Sequence, residues 1–520
     1  MQKFPVATAV LLLWLPVALL GQGSKVITPT YFETVLSHCN DVSSKTTLRF
    51  YYAAAGYQLH WAGNDRVILQ LVNYLNKCDE LGLDKSAYHY NFINEYAMMD
   101  GNEHGTDEMF RADIYFADAA IHFFHDISFG THAPPLQYQG FEYQPDTEQL
   151  VTALLKALLE KRFQYFLFDA EHCSPEYVAM KQQLQLYNRM VSAGNDYSQP
   201  LLPGKINRVN NLLLAKLQQL GIISLPKGDT IEPTALLAAV HKAQALFDLP
   251  AEDRLTAAFT TQLNLPLKYR IAALKEGINT LRWLDAIRQQ SRYIAVVNIP
   301  SATLTLFAGN EKVLASRLIV GKRSTPTPTL SSIIKEVIVF PYWFVPRRLA
   351  VQELLPAIKR NPNYLAENNF QVLNEQGILV NTQRIHWASL NAGNFPYQLR
   401  QSTGCDNSLG VLKIAFYNPF NVYLHDTPTK PLFTHYRRYF SHGCMRVEKA
   451  VDLARLLLKD RQAIMDSIIQ RGCVKDQQPV VLPAEVTMPL FVVYNTAWTD
   501  AGLQVKFYYN VYNKGLPSER

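Results

Sequence analysis

The chain has 520 residues, which is too long for one ordinary hydrophobic core, so we expect about two to four domains. Its apolar content of 48% and its charged content of 18% are typical of folded globular protein and exclude a disordered chain. The net charge of +6 is small for this length and no run of lysine or arginine accompanies it, so nucleic acid is excluded as an expected partner.

The N-terminus has the pattern of an export signal. Lys3 precedes an apolar run over residues 6–20, and Gly21 and Gly23 offer the small residues that a signal peptidase recognises. We predict a signal peptide over residues 1–23 and export of the rest. The alternative is an uncleaved anchor, which would be the only attachment to a membrane, although the run is shorter than the roughly 20 residues of a spanning helix.

Helical periodicity dominates residues 24–190, which we predict to form an all-α domain. Three segments carry it most clearly: 67–75, 110–127 and 147–168. Within the second of these, His122 and His125 lie three residues apart and are flanked by Asp118 and Asp126. A metal site is one interpretation of this cluster, and surface or packing histidines are the plainer one.

A second helical unit is predicted over residues 191–268, after a change of composition to glycine, proline and asparagine. Its amphipathic segments are 210–220, 234–247 and 255–263. One long helix is then predicted over residues 269–290, linking this unit to the remainder of the chain.

At Tyr293 the periodicity changes from helical to β. Strands are predicted over 293–299, 303–308, 312–320 and 333–339. Residues 341–407 then mix short strands with long irregular stretches, which is typical of a lid or a binding loop. Within residues 481–520, a C-terminal hairpin is predicted from strands over Pro489–Thr496 and Gln504–Val511.

Cys444 has the setting of a nucleophile, whereas the six cysteines together form neither a disulfide framework nor a familiar zinc pattern. It lies behind Gly443 and beside His442, with Arg446 two positions further on. An amphipathic helix is predicted over Val447–Lys459, which places the thiol before a helix N-terminus, where backbone N–H groups favour an anion. We therefore predict a thiol pKa below the free value of about 8.5.

A histidine partner for this cysteine lies at the end of a strand-like segment over residues 421–424. The residue is His425, 19 positions before Cys444. An ionised cysteine attacks a carbonyl carbon and a neighbouring imidazole can take its proton, so we predict a Cys/His nucleophile pair. Backbone N–H groups around Gly443 would then stabilise an oxyanion.

Two other interpretations of Cys444 stay open. It could bind zinc together with His425, His435 and His442, although their spacing matches no familiar structural pattern. It could instead be a buried cysteine or a disulfide partner, for example of Cys405. Either alternative would remove the free thiolate that nucleophilic catalysis requires.

Ser441–Arg446, taken with the upstream His425, resembles the signature of the YkuD-type L,D-transpeptidases, a family of cysteine enzymes that cross-link peptidoglycan. Three further stretches resemble the opening strands, the following loop and the G-x-x-N-x-L-G segment of that domain: 293–321, 322–328 and Gly404–Gly410. The resemblance implies a mainly β, β-sandwich-like catalytic domain over residues 291–480.

The chain is most similar to a large, multidomain branch of this family from Gram-negative bacteria. Four stretches resemble the long insertion of that branch: 340–346, 355–356, 364–365 and 386–388. The insertion implied here, over about 341–407, would form a mobile capping subdomain above the active site. The implied layout also includes an N-terminal all-α scaffold over residues 24–190.

Residues 191–268 resemble the helical peptidoglycan-binding-like module of the same branch. They depart from it at Ala251–Leu255, where that module usually has a glycine-bearing turn. The resemblance implies the fold of the module, while this departure argues against glycan binding by it.

The resemblance implies a two-step acyl transfer that uses no cofactor and no metal. His425 would deprotonate Cys444, whose thiolate attacks the carbonyl of the third residue of a peptidoglycan tetrapeptide stem. D-alanine would leave with a proton from His425, and the side-chain amine of a second stem would resolve the thioester into a 3→3 cross-link. Such an enzyme works in the periplasm, and its cysteine is a carbapenem target.

Supporting roles are implied for residues around the pair. Backbone N–H groups of His442, Gly443 and Cys444 would form the oxyanion hole. His442 and Ser441 would also orient the site. Substrate contact is implied for four residues: Arg446, Tyr423, Trp387 and Asn407.

Plainer interpretations accompany some of these assignments. Tyr423 and Trp387 could be ordinary packing residues, and Arg446 could hold the loop instead of a substrate. Asp426 could either orient a histidine or cap the turn that follows it.

Other functions compete at the level of the whole protein. Water in place of the acceptor amine would make the same site an L,D-carboxypeptidase. A protein without catalysis that docks on peptidoglycan is the alternative from a different class, against which the Cys444/His425 pair argues. A zinc hydrolase is a third alternative.

Overall fold

The structure, a computed structural model, describes residues 26–98, 106–206, 211–224, 231–474 and 477–515. The predicted signal peptide over residues 1–23 lies outside the described residues. The chain folds as two compact units, one made of residues up to 78, 84–125 and 146–170, and the other of 79–83, 126–145 and residues from 171 onwards. In these described ranges, no helix is both long and apolar enough to cross a membrane.

The N-terminal part is helical, as predicted. The helices wholly or partly in the first unit are α1 (Pro29–His38), α2 (Lys45–Ala54), α3 (Asp65–Leu75), α4 (Cys78–Leu81), α5 (Tyr90–Met98), α6 (Thr106–Phe129), α7 (Thr147–Leu159) and α8 (Phe166–Ala170). Short polar side chains define their starts: the Ser44 hydroxyl accepts the Thr47 N–H at the first turn of α2, and Asp146 caps α7 in the same way.

Two members of the α6 cluster, Asp118 and His122, are used for pairing and packing. Asp118 binds His89 at 2.9 Å, and the ring of His122 packs edge-on against Tyr88. Within the part of the chain that the structure describes, no three His, Cys, Asp or Glu side chains are grouped to hold a metal.

In the described part of the second unit, the chain before Tyr293 includes five helices and one edge strand of the main sheet. They are β1 (Tyr138–Gln139), α9 (Pro175–Ser192), α10 (Asn211–Gln219), α11 (Pro233–Leu246), α12 (Ala257–Asn264) and α13 (Leu267–Gln290). Strands β2 (Gly204–Lys205) and β3 (Arg254–Leu255) pair across the helical module. At Ala251–Leu255, the buried Gln244 side chain exchanges two hydrogen bonds of 2.9 Å with the Glu252 backbone, which fixes this turn without glycine.

The mainly β domain expected after α13 is confirmed. Its strands are β4 (Tyr293–Asn298), β5 (Thr303–Ala308), β6 (Glu311–Gly321), β7 (Leu330–Val339), β8 (Trp343–Phe344), β9 (Phe370–Leu373), β10 (Gln398–Gln401), β11 (Leu412–Phe416), β12 (Leu424–His425), β13 (Tyr439–Ser441), β14 (Met445–Val447) and β15 (Val480–Val493). The main sheet has the order β1-β7-β11-β12-β14-β6-β5-β4-β15, β13 pairs with β6, and β15 also pairs with β7. Because β15 pairs with both β4 and β7, the sheet closes on itself.

The insertion is a subdomain with a core of its own. Strands β8, β10 and β9 form a three-stranded antiparallel sheet in that order. Three short helices accompany it: α14 (Arg347–Leu349), α15 (Leu355–Arg360) and α16 (Tyr364–Glu367). Its buried residues include Val345, Leu355, Leu365, Val372 and Leu399.

Two helices after β14 complete the catalytic part of the sheet domain, namely α17 (Ala450–Leu458) and α18 (Gln462–Gln470). The apolar face of α17 packs among alternate side chains of the strands: Leu453 and Leu457 are fully buried with Val337, Ile414 and Leu490. This shared core holds the strands that carry the candidate site.

The predicted C-terminal hairpin over Pro489–Thr496 and Gln504–Val511 is wrong in its strands. Residues Met488–Val493 are buried on both faces within β15, which pairs in parallel with β4 and antiparallel with β7. A continuous apolar run of this kind is typical of a central strand. The hairpin itself is shorter, and joins β16 (Ala497–Thr499) to β17 (Val505–Phe507).

Candidate active site

A cavity of about 880 Å³ lies where strands β12 and β14 meet the insertion. Six of the predicted site residues line it: Tyr423, His425, Ser441, His442, Cys444 and Arg446. Strand pairing explains why they meet, because β12 and β14 run side by side in parallel. His425 at the end of β12 and Cys444 in the turn just before β14 therefore reach one cavity.

Three of the lining side chains stand in a row across strands β11, β12 and β14. Lys413 is opposite His425 in the antiparallel pair, and Arg446 is opposite His425 in the parallel pair. Their chain neighbours Leu424 and Met445 are fully buried on the other face, as alternation along a strand requires. His425 is therefore flanked by two cations.

The buried ring of His425 has one free acceptor nitrogen. Nδ1 donates a hydrogen bond of 2.6 Å to the backbone carbonyl of Asp426, which leaves Nε2 unprotonated in the neutral ring. Burial, and then the positive charges of Arg446 and Lys413, lower the pKa of His425 to about 3. The imidazole is thus neutral at physiological pH, and Asp426 orients it through the backbone and not through its carboxylate.

Cys444 does not lie before a helix N-terminus, contrary to the prediction. The residues after it form β14, and α17 begins only at Ala450. Burial raises the pKa of the Cys444 thiol, while hydrogen bonds from Tyr423 and the charges of Lys413 and Arg446 act in the opposite direction. The expectation of a lowered thiol pKa is therefore wrong, since desolvation outweighs the nearby charges.

Tyr423 belongs to the same polar network. The Lys413 ammonium lies 4.3 Å from the centre of its ring, and the His425 ring lies 5.7 Å away. Burial raises the pKa of Tyr423 well above its ordinary range, and its hydroxyl hydrogen-bonds the Cys444 sulfur. The phenol therefore stays protonated and can donate to the sulfur as negative charge develops there.

The turn that carries the cysteine is held by its own polar groups. The Gly443 N–H donates to the Ser441 hydroxyl at 3.1 Å, and that hydroxyl donates to the Cys444 carbonyl at 2.5 Å. Gly443 has a φ of 115°, a conformation that residues with a side chain rarely adopt. The Gly443 N–H is therefore engaged within the turn, which leaves the N–H groups of His442 and Cys444 as the candidate oxyanion donors.

His442 connects the cysteine turn with the insertion. Its Nε2 lies 2.8 Å from the carboxylate of Glu353, in the segment Ala350–Leu354, and 3.3 Å from the Lys322 ammonium. Glu353 is the acidic residue of a cavity wall that is otherwise basic, with Lys322, Arg347, Arg348, Lys413 and Arg446. The cavity is therefore suited to a substrate with carboxylates.

Two predicted substrate contacts lie away from this cavity. Trp387 packs against the core of the insertion, where its ring centre is 6.3 Å from that of Tyr397. Asn407 is buried, and its amide donates to the carbonyls of Pro341 at 3.1 Å and Ser402 at 2.8 Å, tying together the two ends of the insertion. Neither side chain therefore lines this cavity, since Trp387 packs within the insertion and Asn407 makes structural hydrogen bonds.

Within the described residues, Cys444 takes part in neither a disulfide nor a metal-binding group. Cys405 forms a disulfide with Cys473, and Cys444 is a free cysteine. The ring of His435 packs against Phe440 at 5.5 Å between ring centres, and among the described residues it is not part of any metal-binding group.

Lys413 and Glu353 are site residues that the sequence analysis missed. Lys413 does leave a signal, since it is a charged residue in the apolar strand Leu412–Phe416 just before the strand of His425. Glu353 leaves none, because it is 89 positions from His442 and reaches it only when the insertion folds.

Comparison with known families identifies two parts of the chain. Residues 292–480 match the YkuD family, described as the L,D-transpeptidase catalytic domain. Residues 46–184 match a family described as a scaffold domain. The strands and turn that carry Lys413, His425, Cys444 and Arg446 all lie within the first match.

A curated protein of Haemophilus influenzae, named as a candidate L,D-transpeptidase, is 38% identical to the chain over 206 residues. That match covers 40% of this chain and 41% of the relative, so the chain spans less than half of the relative's length.

Solved structures of L,D-transpeptidases are also similar in part. The one from Mycobacterium smegmatis is 13% identical with a TM-score of 0.17, covering 39% of this chain and 58% of its own. L,D-transpeptidase 1 of Mycobacterium tuberculosis is 15% identical with a TM-score of 0.15, covering 39% of this chain and 61% of its own. At these scores the likeness adds nothing to the geometry of the site.

Proposed function

We propose, from the match of residues 292–480 to the YkuD L,D-transpeptidase catalytic domain and of residues 46–184 to a scaffold domain, that the chain is an L,D-transpeptidase that forms 3→3 cross-links in peptidoglycan. The donor is a tetrapeptide stem, which is held as a cysteine thioester after it loses its terminal D-alanine. One observation carries the proposal: a free cysteine, a neutral histidine and a phenol meet in one basic cavity, as Cys444, His425 and Tyr423.

In the first half-reaction, Nε2 of His425 takes the thiol proton while Sγ of Cys444 bonds to the carbonyl carbon of the third stem residue. The C–N bond to D-alanine then breaks, and the same proton passes to the leaving amine. The Tyr423 hydroxyl stabilises the developing thiolate. The backbone N–H groups of His442 and Cys444 are the proposed oxyanion donors.

In the second half-reaction, the amine of a second stem attacks the thioester carbonyl. His425 takes a proton from the attacking amine, a new C–N bond forms, and the C–S bond breaks. The proton returns to the sulfur, which restores the neutral pair. Water in the place of the amine would instead hydrolyse the thioester and trim the stem.

We also propose that the protein works in the periplasm of a Gram-negative envelope. The signal pattern over residues 1–23 supports export, and the disulfide between Cys405 and Cys473 suits an oxidising compartment. The cysteine that takes up a stem carbonyl should also open a carbapenem ring, because that ring presents a strained carbonyl to Sγ of Cys444.

Mass spectrometry of the purified chain with a tetrapeptide muropeptide or a carbapenem tests the proposal. Wild-type protein should gain the mass of the acyl group, after loss of D-alanine in the case of the muropeptide. Cys444→Ala should gain nothing, whereas Cys173→Ala, which removes an exposed free cysteine elsewhere, should react like wild type.

The products separate the competing functions. Cross-linked stems support the transpeptidase, and trimmed stems alone would make the protein a carboxypeptidase. Wild-type protein that stays unmodified with both reagents would refute the thioester mechanism and leave a wall-binding role.

A further inference from the structure

Lys413 and Arg446 are half-buried cations in the cavity wall, and neither forms an ion pair with an acidic side chain of the described ranges. Among the residues that the structure describes, Nε of Arg446 has no hydrogen-bond partner. Glu336 on β7 acts electrostatically on Lys413, but the two side chains form no ion pair in the described part of the chain. Burial lowers the pKa of both cations, so their lost hydration is not compensated within the protein.

These two cations flank the catalytic base. Their strands place both side chains directly opposite His425, one on each side. A proton on the imidazole would add a third positive charge to this row. Without an anion nearby, His425 is therefore a weak acceptor for the thiol proton of Cys444.

We propose that Lys413 and Arg446 form a receptor for the α-carboxylate of the leaving D-alanine, and that this carboxylate enables His425 to take the thiol proton. The inference rests on the proposed function, because it takes D-alanine as the leaving group. In that substrate the carboxylate is only two bonds from the scissile nitrogen. A peptide bond placed over Cys444 therefore brings the carboxylate to the row of Lys413, His425 and Arg446.

The carboxylate acts on the base through charge. It neutralises the repulsion that the two cations exert on an imidazolium, so transfer of the proton from sulfur to Nε2 becomes less costly. When D-alanine departs it takes the proton and the carboxylate away together. His425 is then returned to its neutral, weakly basic state.

The same receptor bears on how the thioester is resolved. The incoming amine must take the place of the leaving amine, and an amine on a carbon that bears a carboxylate restores the anion beside His425. Water brings no anion. The receptor therefore favours transfer to such an amine over hydrolysis.

Steady-state kinetics of the full chain with two donors test the receptor. One donor is the tetrapeptide stem, and the other is the same stem with its C-terminal carboxylate converted to an amide. For wild type we expect kcat to fall about 30-fold with the amide, in line with the loss of a hydrogen-bonded charge, and KM to change less. Lys413→Met should lower kcat for the acid to nearly that for the amide, and Lys413→Arg should restore part of the difference.

The matched control is Lys335→Met. Lys335 on β7 also lies over a tyrosine ring, 4.4 Å from the centre of Tyr417, but it is not part of the cavity wall. This variant should keep the wild-type ratio between acid and amide. Unfolding temperatures show whether each variant is folded. The ratio of kcat between the acid and the amide donor in wild type is a test that needs no variant.

The outcomes separate the receptor from the function on which it rests. Equal turnover of acid and amide by wild type, or an unchanged ratio in folded Lys413→Met, overturns the receptor while leaving the transpeptidase in place. If the acid and the amide differ in KM alone, the proposed effect of the carboxylate on proton transfer to His425 is overturned. If wild type releases neither D-alanine from the acid nor D-alanine amide from the amide, the proposed function itself is contradicted.

Discussion

At the candidate nucleophile, burial acts on both partners of one proton transfer. It raises the pKa of Cys444 and lowers that of His425, so the thiol and the imidazole are both neutral before a substrate binds. A thiolate and an imidazolium would be costly in this desolvated place. Burial therefore has the largest effect on the pKa of each group, and the charges of Lys413 and Arg446 lower both pKa values.

Replacing His425 by glutamine should flatten the dependence of stability on pH. The unfolded chain takes a proton on His425 below about pH 6.5, whereas the folded chain takes it only near pH 3, so the free energy of unfolding falls as the pH is lowered between them. The slope due to this residue is at most about 1.4 kcal/mol per pH unit and should be absent from His425→Gln. Unfolding temperatures at about pH 7 and pH 5 measure it.

The control for this experiment is His435→Gln, which removes an exposed histidine of the same domain. Its free energy of unfolding should fall below about pH 6.5 as steeply as that of wild type. If His425→Gln lost stability on acidification as steeply as wild type, the buried neutral imidazole would be ruled out.

Tyr423→Phe should make the thiolate of Cys444 harder to form. The change removes the hydroxyl that hydrogen-bonds the sulfur but keeps the ring beside Lys413. A hydrogen bond to a charged group contributes about 1.5–3 kcal/mol, so the pKa of Cys444 should rise by about one to two units. The pH dependence of alkylation of Cys444 by iodoacetamide measures this pKa, and Tyr417→Phe is the matched control. If the pH profile of Tyr423→Phe equals that of wild type, Tyr423 does not stabilise the thiolate.

Among the elements, the insertion is connected to the cysteine turn by the pair between Glu353 and His442. Their side chains are 51% and 31% exposed, so we expect the pair to contribute at most about 1 kcal/mol to stability. Glu353→Gln should leave the unfolding temperature nearly unchanged, but it should speed amide hydrogen exchange in residues 343–354 and raise KM for the tetrapeptide donor. Exchange rates followed by mass spectrometry provide the measurement.

An exposed carboxylate elsewhere in the insertion serves as the control for this change. Glu375→Gln should leave both the exchange of residues 343–354 and KM as in wild type. Identical exchange in the two variants would mean that the contact with His442 does not hold the insertion near the cysteine.

The disulfide ties the end of the insertion to the segment after α18. Cys405 and Cys473 are 68 residues apart, and the chain-entropy relation for a loop of this length gives about 4 kcal/mol of stabilisation. A reductant should lower the unfolding temperature of wild type, and the double variant Cys405→Ser/Cys473→Ser should be equally low with or without it. Cys173→Ser, at an exposed free cysteine, should respond like wild type, and a wild type insensitive to reductant would contradict the bond.

At the scale of the folded second unit, α13 packs closely on the C-terminal hairpin. A Cβ at Gly277 would lie 2.9 Å from the carbonyl oxygen of Ala497 and 2.5 Å from the methyl of Met180. The methionine can move, but the backbone oxygen belongs to β16 and cannot move freely. Gly277→Val should therefore lower the free energy of unfolding by about 2 kcal/mol or more.

Urea unfolding measures this change. Gly204→Val is the control, because a Cβ added there meets no atom within 4 Å. Equal midpoints for the two variants would show that the approach of α13 to the hairpin tolerates a side chain.

Much of the architecture could be predicted because periodicity is local. The helix over residues 269–290 and the strands that begin at Tyr293 follow from spacings within a few residues. The nucleophile assignment came from a compact motif and one upstream histidine. What could not be predicted concerns partners that are distant in sequence: a continuous apolar run joined the main sheet instead of a hairpin, and the packing of Trp387 and the hydrogen bonds of Asn407 form only when the insertion folds.

The sequence by itself determined the element types, the mainly β nature of the domain and the choice of Cys444 with His425. Only the tertiary structure decided the electrostatics of that pair. The residue after Cys444 entered a strand instead of a helix, and strand register set Lys413 and Arg446 on either side of His425. A pKa depends on burial and on charges that are near in space, and neither can be obtained from spacing along the chain.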